Sequence, residues 1–356
     1  VAIGLLRVPK KMDRVTSAMI DLAEASYDLD VADSDWLPRV MEAGLPVLDH
    51  GLGVAGGLYT RPLDGSEVTL HQLHVAAGPQ DFALRQARVS AECPAEIQQA
   101  CTRPGICMTL SEAAGEKYAY AVESWTRHHD YAKDALGLSA VDPDGQGALI
   151  ISPLSELTKL SGHVRYRWQM VGAHLTTGFR LRRALKKANE SPIPEVELPH
   201  RAEALLDPTS FEVKEAVGVA QESEATGALR DAAVLVDRAR GRMRKTDPDE
   251  ALKIWKSLVE GRWSMVDWFD SDSRRFVLAI RNPPGISDPH GLTTREGQVA
   301  TYAALGESGK LIGYRLGLSP SRVSALLRDV MRKLRVHTQA ELVEKMRGLG
   351  VVSGVL

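Results

Sequence analysis

The chain has 356 residues, with 44 Lys/Arg against 46 Asp/Glu for a formal net charge of −2, and is 44% apolar and 25% charged. That length allows two or three domains, and that composition excludes a disordered chain. No apolar run approaches bilayer-spanning length and no signal-peptide pattern is present, so we expect a cytoplasmic protein with no membrane partner. Cys93, Cys101 and Cys107 form no paired framework and no C-x-x-C, which favours reduced thiols over a redox role.

The chain opens on Val1. Helical spacing begins only at Met12, a candidate start, with Val15, Met19 and Leu22. Residues 1–35 are taken as an N-terminal helix. A second helix fits residues 36–43, with Leu37, Val40 and Met41 on one side, Ser34 as cap, and Gly44 with Pro46 as its end. Two strands follow, 53–59 and 67–77, joined by the turn Pro62-Leu-Asp-Gly65. Residues 80–135 read as irregular helix broken at Pro94 and at Pro104-Gly105. A hairpin fits 137–141 and 148–152, turning at Asp142-Pro-Asp-Gly145. A long helix runs from 157 to about 189, striped by Leu160, Val164, Trp168, Val171, Leu175 and Phe179. It is the one continuous rigid element leaving the N-terminal half. It is therefore expected to connect input to output and to pair with its counterpart in a dimer through Trp168 and Leu175.

The order helix, hairpin, helices, hairpin, long helix over residues 36–190 resembles a GAF-type sensory domain, in architecture only. GAF and PAS domains commonly bind a small molecule or serve as dimerising input modules. The resemblance therefore implies a small-molecule effector as a candidate partner. The proline-rich stretch Ser191-Pro-Ile-Pro-Glu-Val-Glu-Leu-Pro199 is an extended linker. A small hairpin from Leu205, helices near 226–244 and 249–260, and a hairpin of 263–269 with 276–280 resemble a reduced PAS-like domain over 200–282. The alternative is one larger input domain spanning 36–282. Asn282-Pro-Pro-Gly285 and Asp288-Pro-His-Gly291 form the next linker.

Several constellations weigh toward ordinary structure. His71 and His74 lie three apart on a strand and so point to opposite faces, while His128 and His129 diverge on a helix. No metal site is expected. Gly51, Gly53 and Gly56 lead into a strand rather than opening a helix, against dinucleotide binding. Hairpins replace the parallel α/β pattern of a phosphoacceptor receiver, and 5% aromatic residues leave little for an aromatic autoinducer pocket. The six tryptophans, all before residue 269, are read as core, with Trp125 and Trp168 as candidates to line a ligand cavity.

Residues 292–334 carry the strongest signal. Thr293 and Glu296 have capping-box spacing. Val299, Tyr302 and Ala303 recur at helical spacing, and Gly306 ends that helix. A short helix over 310–316 turns Leu311, Ile312 and Leu316 inward. Gly317 breaks it, Leu318 plugs the corner, and Ser319-Pro320 opens a third helix. That helix is expected to bury Val323, Leu327, Val330, Met331 and Leu334. Arg322, Ser324, Ala325, Arg328, Arg332 and Lys333 form its other face. Residues 291–350 hold ten Lys/Arg and five Asp/Glu, about +5 against about −7 elsewhere. Positive charge therefore gathers where a groove-reading helix would lie. The plain alternative is a solvated face on a helical bundle.

This stretch resembles the DNA-binding domain of the LuxR (GerE-type) family. The matching residues are Leu292, Thr293, Arg295 and Glu296; Gly306; Lys310 and Ile312; Leu316-Gly-Leu-Ser319; Val323; Lys333, Leu334 and Val336; and Ala340-Glu-Leu-Val343. Arg322 departs from a frequent Thr, and Leu326 from a frequent His. Asp329 puts an acid on a helix that approaches phosphates. The resemblance implies a non-catalytic transcription regulator that binds a two-fold operator as a homodimer, through Leu342 and its neighbours in a last helix. On the family's register Ser324, Ala325 and Arg328 face base edges, and Lys310, Ser321, Arg322, Arg332 and Lys333 lie toward phosphates. Asp329 is expected either to restrain Arg328 or to discriminate against sequences that bring phosphate too near. The expected fold is α+β, with GAF-like and PAS-like antiparallel sheet domains and an all-α helix-turn-helix at 291–350, without cofactor. The rival is a small-molecule-binding protein or enzyme with an accessory helical domain, for which no convergent catalytic set can be assembled.

Overall fold

A computed structural model of the protein describes residues 10–62, 66–103, 107–116, 119–190, 198–286 and 291–349, with side chains from residue 17 onward. It is a mixed fold with two antiparallel sheets and a C-terminal helical region. The turn at Leu63-Asp-Gly65, the break at Pro104-Gly105 and residues 191–197 and 287–290 of the two linkers lie outside the described residues.

The first sheet has strand order β2-β1-β5-β4-β3, from β1 (Val54–Thr60), β2 (Thr69–Ala77), β3 (Cys107–Thr109), β4 (Asp134–Val141) and β5 (Gln146–Leu154). β3 is an addition to the expected elements. Its three residues are too few to show alternation, and pairing with β4 alone makes them a strand. The sheet register sets Gly57 beside Leu149 and Gly137 beside Ile151, so these residues share one face. The opposite face carries Leu136, Leu138, Ala140, Ala148 and Ile150 into the main core.

That core packs the sheet against α1 (Lys10–Ala25), α2 (Asp33–Leu48) and α7 (Gly162–Asn189). α2 does not stop at Gly44: it runs through Pro38 and Pro46 to Leu48, with no side-chain cap from Ser34. Seven buried residues hold it in place, and Gly44 lets α1 come close, since a Cβ there would stand 2.6 Å from Leu22 Cδ1. Tertiary burial outweighs the local helix-breaking tendency. α7 starts at Gly162 rather than 157, capped by Ser161. From Arg167 to Leu181 it is buried all but completely around its circumference. Trp168 and Leu175 are 4% and 0% exposed, so they cannot form the dimer contact expected of them. The helix is the internal axle of the chain, packed on α1, β4 and β5.

The second sheet has order β7-β6-β9-β8, from β6 (Ala202–Leu206), β7 (Val213–Ala216), β8 (Trp263–Phe269) and β9 (Arg275–Arg281). α8 (Ser223–Arg238), the short α9 (Arg244–Thr246) and α10 (Pro248–Ile254) lie between its hairpins. α10 ends at Ile254, six residues before the expected boundary, yet Trp255, Leu258 and Val259 beyond it are buried. Residues of both sheets belong to one continuous core, seamed by α1 and α7. Arg240 and Arg244 pair with Glu24 of α1, tying the second module to the first helix. No described helix is long and apolar enough to cross a membrane.

The segment after β9 begins as an anchor, not as a linker. Asn282 Nδ2 donates to Thr177 O (2.9 Å) and to Ser264 Oγ (2.8 Å), and Arg180 Nε donates to Asn282 Oδ1 (2.9 Å). Arg180 also pairs with Asp142 at 2.6 Å, so one buried guanidinium joins α7, the β4–β5 turn and the exit toward the last helices. A proline-based reading of sequence sees the dipeptide after Asn282, not these partners.

Candidate nucleic-acid interface

Four helices close the chain: α11 (Thr294–Ala304), α12 (Gly309–Leu316), α13 (Pro320–Leu334) and α14 (Gln339–Gly348). Each begins with a hydroxyl cap, from Thr293, Ser308, Ser319 and Thr338 in turn. At α11 the capping box is complete: the Thr293 amide donates to Glu296 Oε2 (2.7 Å) and the Glu296 amide to Thr293 Oγ1 (3.3 Å). Gly306 and Gly317, at φ 87° and 68°, make the turns on either side of α12. A tight α12–turn–α13 unit results, which is a helix-turn-helix.

Val323, Leu326, Val330 and Leu334 bury one side of α13, while Leu327 and Met331, expected inside, are half-buried. Leu326 thus occupies a core position, and its departure from the frequent His concerns packing rather than base contact. The opposite side presents Ser321, Arg322, Ser324, Arg328, Arg332 and Lys333 as exposed residues with Ala325 half-exposed, so the structure brings these seven together on one surface. Ser324 Oγ donates to Pro320 O at 3.0 Å and the Ser321 hydroxyl meets Ser319 Oγ at 3.0 Å. Arg322 and Arg328 have no ionic partner among the described residues.

The other cations are engaged. Lys333 Nζ donates to Glu296 Oε2 at 2.6 Å. Burial opposes the charge on Glu296, but Lys333 and the two Thr293 groups outweigh it, and its carboxyl titrates below the usual range. Asp329 pairs with Arg332 at 2.8 Å, one helical turn on, and not with Arg328; spacing of three on a helix brings side chains together where adjacency does not. Lys310 stands apart from the α13 set, its ammonium 4.3 Å from the centre of the Tyr166 ring on α7. Arg315, counted in the positive field, is 1% exposed and holds Glu307 with two hydrogen bonds (3.1 and 2.8 Å). Its charge is internal. Leu342 is 0% exposed in the core of this unit, which corrects its assignment to a dimer contact.

Sequence reasoning missed Tyr314. It leaves the helix-turn-helix and enters the main core, donating its hydroxyl to Leu252 O (2.8 Å) and meeting His174 Nε2 (2.7 Å). His174 Nδ1 meets the Tyr27 hydroxyl at 2.9 Å, and burial pushes the imidazole pKa down to about 3, so it is neutral. Beside it Ser257 Oγ donates to Arg315 O (2.8 Å), Gly261 N to Leu316 O (2.6 Å) and Gln298 Nε2 to Gly261 O (2.9 Å). A Cβ on Gly317 would lie 2.0 Å from Leu258 O. The only signal of this docking in the sequence is an aromatic residue on a face of α12 that its own bundle does not need.

A helix-turn-helix that presents an exposed basic face on α13 fits a DNA-binding module. The family described as "GerE: Bacterial regulatory proteins, luxR family" matches residues 290–346, and this supports a DNA-binding transcriptional regulator. No curated protein matches the chain. Among the described residues no group of His, Cys, Asp or Glu is placed to hold a metal ion. His71 meets Thr60, and His128 meets Glu92.

Proposed function

We propose that the chain is a sequence-specific transcription regulator in which a sensory N-terminal region controls the luxR-type helix-turn-helix. The observation that carries this is the polarity of α13, which has four apolar residues buried on one side and Arg322, Ser324, Arg328 and Arg332 exposed on the other. Arg328 is the long donor toward base edges, where its fork fits guanine O6 and N7. Ser324 and Ala325 lie beside it, and Ser321, Arg322, Arg332, Lys333 and Lys310 address phosphates. The docked Tyr314 and the Lys310–Tyr166 contact support control from the N-terminal side, because they hold α12 where its basic end is occupied. In this reading residues 36–190 are a GAF-like input unit and 200–282 a PAS-like one. A small-molecule effector shifts the docking, and a homodimer reads a two-fold site through the outer face of α14 around Glu344 and Lys345. No catalytic role is assigned.

The test is selection of operators from random duplexes with the full chain, followed by fluorescence anisotropy on the winner and a scrambled duplex for the full chain and for residues 285–356. The selected site should bind at least tenfold more tightly than the scrambled one, and the fragment should bind both more tightly than the full chain does. Failure to select any sequence would sink the regulator reading.

A further inference from the structure

One edge of the second sheet opens on a cleft. β8 is the terminal strand of that sheet and is hydrogen-bonded to β9 alone. The phase of the pairing is fixed at both ends: the Asn282 amide donates to Arg262 O (2.7 Å) and the Asp270 amide to Arg274 O (3.0 Å). Antiparallel partners alternate between hydrogen-bonded and non-hydrogen-bonded pairs. Ser264, Val266 and Trp268 therefore bond to β9, while Met265, Asp267 and Phe269 turn their N–H and C=O groups outward. Trp263 falls in the same outward set, and it exchanges two backbone bonds with Val259 on that side (2.8 and 3.1 Å). The next three outward residues make no backbone hydrogen bond there among the described residues.

The cleft measures about 550 Å³ and lies between the strand and the corner joining α1 to α2. Every residue from Met265 to Phe269 lines it. Side chains alternate across a strand, so consecutive residues line one cleft only along the strand's edge. Met265 is 5% exposed, so its outward N–H and C=O see little bulk water and have no protein partner in its place. The facing wall is acidic. Asp21 is taken by Arg244, Glu24 and Asp267 by Arg240, and Asp28 by Arg39. Asp30 and Glu42 are left over and exposed: Asp30 has only His200 at 3.9 Å, and Glu42 has no ionic partner among the described residues. Phe269, 58% exposed, adds an open aromatic ring to the wall.

We propose that this cleft takes an extended, basic segment of a partner protein, which adds to β8 as a fifth strand of the four-stranded sheet. The free backbone row sets the conformation, because only an extended chain presents donors and acceptors at the matching repeat. The two leftover carboxylates set the charge, since Lys or Arg at alternate positions of the segment complements them and stacks on Phe269. About five residues, ~17 Å of extended chain, match Met265–Phe269. This site stands apart from the DNA-binding reading and does not rest on it.

Fluorescence anisotropy on the full chain tests this with three labelled peptides. One alternates lysine and valine, one alternates glutamate and valine, and one is the lysine peptide N-methylated at two adjacent central amides, which blocks both of its edges. The lysine peptide should bind at least about tenfold more tightly than either of the others. Asp30→Asn combined with Glu42→Gln changes two exposed side chains and should lower its affinity about fivefold. Phe269→Pro removes an outward N–H while leaving the ladder to β9, and should weaken binding about tenfold. Should that variant unfold, the N-methylated peptide carries the test. No binding of the lysine peptide, equal binding of the N-methylated one, or indifference to the loss of both carboxylates overturns the proposal. Sedimentation of the full chain is read alongside. Self-association that Phe269→Pro abolishes would make the edge a contact between two copies of this chain, and overturns the basic partner.

Discussion

The helix-turn-helix has two working surfaces of opposite character. The α12 surface is closed: Leu311 to Leu316 are all buried, Tyr314 is anchored in another part of the chain, and Gly317 touches the Leu258 backbone. The α13 surface is open, with Arg322 and Arg328 exposed and without ionic partners among the described residues. The docked arrangement therefore restrains the module without covering the helix that would read bases. In the function proposed above, control acts through how the module is held, and through Lys310, rather than by masking α13.

The largest effect should come from forcing the closed surface apart. Gly317→Val places atoms against Leu258 O and adds a left-handed strain, so we expect a loss above ~3 kcal/mol in urea unfolding. Gly306→Val is the control: φ is 87° there too, but nothing lies within 4 Å, so about 1–2 kcal/mol of backbone strain is expected. Equal losses at the two glycines would break the comparison, since they would mean that Leu258 does not press on Gly317.

Acid should also loosen the closed surface. His174 has its pKa depressed from 6.5 to about 3, chiefly by burial, with Arg315 and Lys256 adding repulsion. Below pH about 6.5 the unfolded chain takes up a proton that the folded chain refuses, so stability falls as pH drops through that window. The slope should be on the order of 1 kcal/mol per pH unit per group. His129, lowered to about 4 mainly by burial, adds the same sign. His174→Gln should flatten part of the slope in urea midpoints measured between pH 7 and 5; an unchanged slope would rule His174 out as a contributor.

On the open surface, Arg328→Ala should lower affinity for a selected operator by about 1–3 kcal/mol and relax preference at one base pair. Equal losses on selected and scrambled duplexes would make Arg328 a phosphate contact. The smallest effect distinguishes Lys333 from its free neighbours. Because Lys333 holds Glu296 in the α11 cap, Lys333→Ala should reduce stability by about 1 kcal/mol and change the salt slope of binding by less than one. Arg322→Ala should lower that slope by about one.

Local sequence alone sets the C-terminal unit nearly to the residue. Its signals are local: caps spaced three apart, glycines at the turns, a proline opening α13, and apolar residues one helical turn apart. It also set most of the strands, because alternation and turn residues act over a few positions. Tertiary packing keeps Pro38 and Pro46 inside α2, pairs residues 107–109 with β4, and makes α7 an internal axle rather than a dimer strut. It alone gave Lys333 and Asp329 their partners, removed Leu342 and Arg315 from the surface, and set Tyr314 against His174 across 140 residues of chain. Those outcomes depend on which surfaces meet. Packing between distant elements sets that, whereas propensity and periodicity along the chain carry no record of it.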